Sequence, residues 1–385
     1  MERDQATRLM QGLLKKLVAK NGSDLFITAG FQPAIKIDGE VHRAGEQPLT
    51  PEQSAVIVRS IMNDKQAREF DATKECNFAI SPQGIGRFRV SAFVQQGAVA
   101  AVLRQIITKI PTVEDLELPS TLKDVVMTKR GLVILVGATG SGKSTTLAAM
   151  IGHRNDNSRG HIVTIEDPVE YVHPHGRCVV SQREVGVDTA SWGAALKNTL
   201  RQAPDVIMIG EIRDRETMEY GIQFAETGHL CLATLHANSA NQALDRVINF
   251  FPEEKRDQLL MDMSLNVQAL ISQRLIPRAE GQGRIAAMEI MLRSPLIADL
   301  IFKGEVAKIK EVMAKSNRLG MKTFDQDLFD LYEEGKITYE DAMRNADSKN
   351  ELRLRVKLES KREKDIAGEQ GSSLSLLDEQ EANEY

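Results

Sequence analysis

GLVILVGATGSGKSTTLAAMI, residues 131–151, is the stretch whose reading decides the fold. Leu132 to Val136 is an unbroken apolar run, as expected of a strand covered on both faces rather than one. Gly137, Ala138, Thr139, Gly140, Ser141, Gly142, Lys143 and Ser144 then fit the pattern GxxxxGK[ST], and Thr145 begins a helical apolar spacing. A glycine-rich turn between a strand and a helix turns backbone N–H groups toward phosphate at the positive end of the helix. Lys143 is placed to reach the terminal phosphates and the Ser144 hydroxyl to ligate magnesium, so ATP and Mg2+ are the expected ligands.

Outward from this unit, Leu132–Val136, His161–Ile165, Val206–Ile209 and Leu230–Leu235 read as strands, with helices over 255–275, 294–314 and 323–343. Strands alternating with helices predict an α/β domain with a mainly parallel sheet. In such sheets ligands bind beyond the carboxyl ends of the strands. The acidic turn Glu166 to Glu170, the Glu211 that follows VIMIG, and His236 all lie just past such ends, beside Gly137. Gly210 stands where a metal-shell Asp is usual, leaving Glu211 as the carboxylate.

A carboxylate after a strand is commonly a helix cap or a solvated loop residue. Convergence beside a phosphate loop favours catalysis instead. Two histidines bracket the strand TGHLCLATLHAN, and seven strand residues span about 23 Å, so His229 and His236 cannot share one phosphate. His236 is the expected phosphate sensor and His229 an interface or packing residue. His173-Pro-His175 has no further ligands nearby, so it reads as a surface loop and no structural metal is expected.

Toward the N-terminus, 3–20 reads as an amphipathic helix with Leu9, Leu13, Leu14 and Leu17 on one face, ended by Asn21-Gly22. Strands at 24–28, 34–37, 76–80, 87–94 and 98–107 and helices at 51–62 and 64–71 make a small α+β domain over 1–108. A Pro-containing acidic linker follows at 109–119, then the ATPase domain at 120–345 and a charged extension at 346–385, acidic and expected to be disordered beyond about 365. In GRFRVSAF, Arg87 and Arg89 share one strand face and Phe88 and Val90 the other. With Arg104, these arginines are the candidates to complete a neighbouring subunit's site.

The 385 residues are 42% hydrophobic and 27% charged, an ordinary globular composition. No apolar run approaches the roughly 20 residues that span a bilayer, and no signal peptide is recognisable. Three scattered cysteines encode neither a disulfide framework nor a thiolate zinc cage. A formal charge of -5 argues against a nucleic-acid partner.

GATGSGKST, TIEDPVEYVH, LRQAPDVIMIGEIRD and TGHLCLATLHAN, in this order and spacing, resemble the type II/IV secretion ATPase superfamily. The resemblance covers about residues 5–345 and is strongest to twitching-motility retraction ATPases of the PilT/PilU type. It implies a PAS-like N-terminal domain, a RecA-like ATPase domain and a homohexameric ring, cytoplasmic and peripheral at the inner-membrane base of a type IV pilus. It also implies an inner-membrane platform protein as partner, Glu170 as general base, Glu211 as the carboxylate of the metal shell, and functional roles for both His229 and His236.

Where PilT-kind motors have an AIRNLI-like helix, this chain reads PLIADLI over 295–301. That departure and the long extension resemble the PilU branch, which implies work beside a PilT-like motor. The alternatives are an ATP-binding adaptor ring with little or no catalysis and an assembly or secretion ATPase. The latter resembles this chain less, because it carries a tetracysteine zinc insert.

Overall fold

The computed structural model describes residues 2–37, 39–106 and 109–362. Two sheets organise the chain. The first is antiparallel, with β1 (Asp24–Ile27), β2 (Ala34–Ile37), β3 (Glu40–Arg43), β4 (Glu75–Ile80), β5 (Arg87–Gln95) and β6 (Ala98–Ile106) in the order β3-β2-β1-β6-β5-β4. Helices α1 (Arg3–Ala19), α2 (Pro51–Ser60) and α3 (Asp64–Thr73) accompany it. Thr50 with Gln53, and Asn63 with Gln66, form reciprocal caps that fix where α2 and α3 begin.

Helix α1 buries Ala6, Met10, Leu13, Leu14 and Leu17, whereas Leu9, expected on the inner face, is 39% exposed. Met10 takes its place because the buried stripe follows 6, 10, 13, 14 and 17, the helical 3–4 spacing.

The second sheet is mainly parallel. Its strands are β7 (Gly131–Val136), β8 (Gly160–Glu166), β9 (Cys178–Glu184), β10 (Val206–Ile209), β11 (Leu230–Leu235), β12 (Val267–Pro277) and β13 (Arg284–Leu292), in the order β13-β12-β7-β11-β10-β8-β9. Only the β12–β13 pairing is antiparallel. All six residues of β7 are buried, which is why its sequence does not alternate.

Among the covering helices are α4 (Thr121–Met127), α5 (Lys143–Asn157), α6 (Trp192–Thr199), α7 (Arg215–Glu226), α8 (Ala240–Asn249) and α9 (Arg256–Asn266). They are followed by α10 (Pro295–Phe302), α11 (Ile309–Ala314), α12 (Phe324–Glu333), α13 (Tyr339–Asn345) and α14 (Lys349–Glu359).

Several expectations need correction. The helix expected over 255–275 stops at Asn266, and the chain passes directly into β12, because Val267 adopts φ -66, ψ 123 without an intervening turn. β3, β9 and β13 were not expected. The helices expected at 294–314 and 323–343 are each broken in two, the second where Gly335 turns at φ +71. Part of the charged extension is α14, which buries Leu352 and Val356 against Phe329, Leu331 and Tyr332. The end of the strand expected to reach Ile107 and the acidic tail fall outside the described residues.

Candidate active site

The carboxyl ends of β7, β8, β10 and β11 open onto one cleft of about 220 Å³. Thr139, Gly140, Lys143, Ser144, Glu166, Glu170, Glu211 and His236 all line it. Gly140 and Gly142 hold φ of +79° and +88°, a backbone region that favours glycine. A Cβ on Gly142 would also fall 2.7 Å from Gln273 Nε2, so the loop leaves no space for one.

Lys143 opens α5 and is almost fully buried. Its ammonium donates to the carbonyls of Gly137 at 2.8 Å and Ala138 at 3.0 Å. Burial lowers its pKa, and the charges of Glu211 and Glu170 oppose that shift. Beside it, the Ser141 Oγ is buried with no protein partner, as befits a loop shaped around a polyanion.

The acidic turn divides its carboxylates. Glu166, at the end of β8, is buried; it accepts from Thr164 Oγ1 at 2.6 Å and from Gln182 Nε2 at 3.1 Å. Burial outweighs those bonds and pushes its carboxyl up to about 7. Glu170 is exposed at the cleft edge, and Tyr171 ties the turn to α5 through a 2.9 Å hydroxyl contact with Thr145.

Glu211 sits between two partners, Arg213 Nε at 2.8 Å and His236 Nε2 at 3.1 Å. The Glu211 hydrogen bond, aided by Asp167, raises the Arg213 pKa. Gly210 precedes it because a Cβ there would lie 3.1 Å from Ile165 O, 3.2 Å from Glu166 Cα and 3.4 Å from the Trp192 ring. The carboxylate of this turn therefore comes one residue after the glycine, at Glu211. The donors that could meet Mg2+ are the Ser144 hydroxyl and the Glu211 carboxylate. Hard oxygens of this kind suit an ion that keeps most of its contacts for phosphate and water. Among the described residues no larger cluster of metal-binding side chains exists.

His229 lies at the opposite end of β11. Its Nδ1 is 3.0 Å from Thr227 Oγ1 and 3.2 Å from the Phe224 carbonyl, outside the cleft that His236 lines. In the loop His173-Pro-His175, Pro174 and His175 are exposed as expected, but His173 is buried, and burial drives its pKa down to about 4.

The three arginines divide. Arg89 and Arg104 are opposite one another across β5 and β6 and line a cleft of about 590 Å³ that also contains Pro168 to Tyr171. Arg104 pairs with the buried Asp24 at 2.8 Å. Arg87 is at the start of β5, its Nε buried. Arg213, Trp192 and Gln273 were not singled out in the sequence as site residues, and Glu166, expected in the acidic turn, was not expected to be buried. A polar residue closing or interrupting an apolar strand, as Glu166 and Gln273 do, is the available signal.

A phosphate loop at a parallel-sheet edge, with two carboxylate-bearing turns facing it, defines a P-loop ATPase. The family described as Type II/IV secretion system protein matches residues 2–344. The type IV pilus ATPase PilU of Pseudomonas aeruginosa is 58% identical over 372 residues, covering 96% of this chain and 97% of that protein. The type IV pilus retraction ATPase PilT of the same organism is 44% identical over 329 residues, covering 85% and 95%. A crystal structure of the pilus retraction motor PilT with bound ADP superposes with a TM-score of 0.83 at 39% identity, covering 89% of this chain and 98% of the other. The chain belongs to the type II/IV secretion system protein family. Within it, this is an ATPase of the PilT/PilU type.

Proposed function

We propose that this chain assembles into a hexameric ring at the cytoplasmic base of a type IV pilus and uses ATP hydrolysis to power or assist pilus retraction. The observation that carries the reading is the gathering of Lys143, Glu170, Glu211 and His236 on one cleft. Lys143 and the loop amides bind the phosphates. Ser144 and Glu211 would hold the Mg2+ shell, and the ion would supply neutralisation of charge on the phosphate oxygens. Glu170, exposed at the cleft mouth, accepts the proton of the attacking water, and His236 reports phosphate through Glu211.

Arg87, Arg89 and Arg104 of the N-terminal sheet are the proposed contributors to a neighbouring subunit's site; within one chain Arg89 and Arg104 share a cleft with the acidic turn. The two sheets support a division into an N-terminal domain over 1–108, a linker over 109–119 and an ATPase domain over 120–345. No described helix is long and apolar enough to cross a membrane. Attachment to the inner membrane is therefore assigned to the pilus platform protein.

The PLIADLI helix, whose Asp299 pairs with Lys303 at 2.7 Å, favours action beside a PilT-like motor over independent retraction. A deletion strain scored for surface motility and pilus number tests the proposal. More pili with less movement is the expected result, and loss of pili would point to assembly instead.

A further inference from the structure

Strand β12 carries three consecutive polar residues, Ser272, Gln273 and Arg274, of which Gln273 bonds the phosphate loop and Arg274 the loop after His236. Successive side chains on a strand point to opposite faces. Gln273 is 3% exposed. Its Nε2 donates to the Ser141 carbonyl at 2.8 Å, and its Oε1 accepts from Thr146 Oγ1 at 2.7 Å. The two arms of one amide thus hold the phosphate loop on either side of Lys143. The backbone of Gln273 is equally close, since a Cβ on Gly137 would fall 2.7 Å from Gln273 O.

Arg274 serves the other face. Its Nη2 donates to the Asn238 carbonyl at 3.2 Å, two residues beyond His236. The same guanidinium donates to the Asn345 carbonyl at 2.6 Å, pairs with Asp347 at 2.8 Å and lies 3.9 Å from the Phe324 ring centroid. Asp347 also pairs with Lys310 at 2.6 Å. The histidine loop is pinned a second time, where buried Glu289 of β13 accepts from the Ala240 N–H at 2.7 Å.

Packing alone does not call for this arrangement. An apolar side chain would fill the space of Gln273, and a buried amide is costly unless both of its arms are paired. We propose that Gln273 and Arg274 are positioning residues on the two faces of one strand. Gln273 sets the phosphate loop for nucleotide binding. Arg274 sets the His236 loop for hydrolysis and, through Asp347 and Asn345, makes that setting depend on the C-terminal helices. This rests on the proposed roles of Lys143 and His236, and neither brace residue touches the reacting atoms.

The test uses the full chain with Gln273→Glu, Gln273→Met, Arg274→Lys and Arg274→Met. ADP affinity is measured by calorimetry, kcat at saturating ATP, and amide hydrogen exchange across 138–147 and 236–242. Gln273→Glu keeps an acceptor for Thr146 but loses the donor to Ser141, and remains informative where Gln273→Met does not fold. We expect it to weaken ADP binding about tenfold, the loss of one well-placed hydrogen bond, and to speed exchange in 138–147 only.

Arg274→Met is expected to leave ADP affinity within about twofold, lower kcat about tenfold and speed exchange in 236–242 only, with Arg274→Lys recovering part of kcat. Equal losses of affinity and kcat in both sets, or unchanged exchange in both segments, would overturn the proposal. A wild-type protein that binds ADP but hydrolyses no ATP would count against the proposed function. The brace would then still be decided by ADP affinity and the two exchange patterns.

Discussion

Replacing Glu166 by Gln should remove a pH dependence of stability that the wild-type chain carries. The carboxyl is buried, and its pKa rises from the ordinary 4.5 to about 7. Below the unfolded value both folded and unfolded chains hold the proton, so the group costs nothing. As pH rises from 4.5 toward about 7 the unfolded chain ionises first, and unfolding releases a proton. Stability therefore falls across that window and levels off above it. At ~1.4 kcal/mol per pH unit, the interval amounts to about 3 kcal/mol.

Gln copies the shape of the neutral acid and can still accept from Thr164 and Gln182, but it cannot ionise. Urea unfolding of nucleotide-free protein, compared between Glu166→Gln and wild type at several values from about pH 5 to about pH 8, reads the difference directly. The variant should gain on wild type as pH rises, by about 3 kcal/mol over the window, and then hold a constant lead. A difference that does not change with pH, or one that widens toward acid, would refute the reasoning.

Three further outcomes follow from the same geometry. Lys143→Ala should lower ADP affinity about tenfold or more, because a charged donor to phosphate is worth ~1.5–3 kcal/mol; calorimetry showing wild-type affinity would contradict the placement of the phosphates. Leu352→Ala should cost about 2–5 kcal/mol in thermal or urea unfolding, since Leu352 is 1% exposed among the C-terminal helices; a neutral result would detach α14 from the folded unit. Asp327→Ala removes a buried acceptor of the Met288 N–H at 2.7 Å and of Lys322 at 2.8 Å. Lys322 keeps Asp330 at 2.8 Å, so the loss is that of the unpaired Met288 N–H, about 1–3 kcal/mol in the same assay.

The legible parts of this chain were those whose pattern is local. Leu132–Val136 is an uninterrupted apolar run and Leu230–Leu235 is broken only by Thr234, and both are fully buried strands of the parallel sheet. The glycine-rich turn announced its own conformation. The junction at Asn266–Val267 was not legible, because RDQLLMDMSLN has helical spacing and no glycine or proline marks the change to β12. Strand β9, CVVSQRE, lies at the sheet edge and is too polar to read as a strand in isolation. Within the site, strand-end placement pointed to Glu170, Glu211 and His236, but the burial of Glu166 and the reach of Gln273 across 132 positions to Ser141 depend on tertiary contact.

The most direct test of the central claim is Glu211→Ala, assayed for Mg2+-dependent ATP turnover and for ADP binding in one preparation. Glu211 stands between Arg213 and His236 on the cleft that Lys143 enters, so turnover should disappear while the phosphate loop keeps its ADP affinity. Wild-type turnover in that variant would show that the gathered carboxylate and histidine do not carry the hydrolysis.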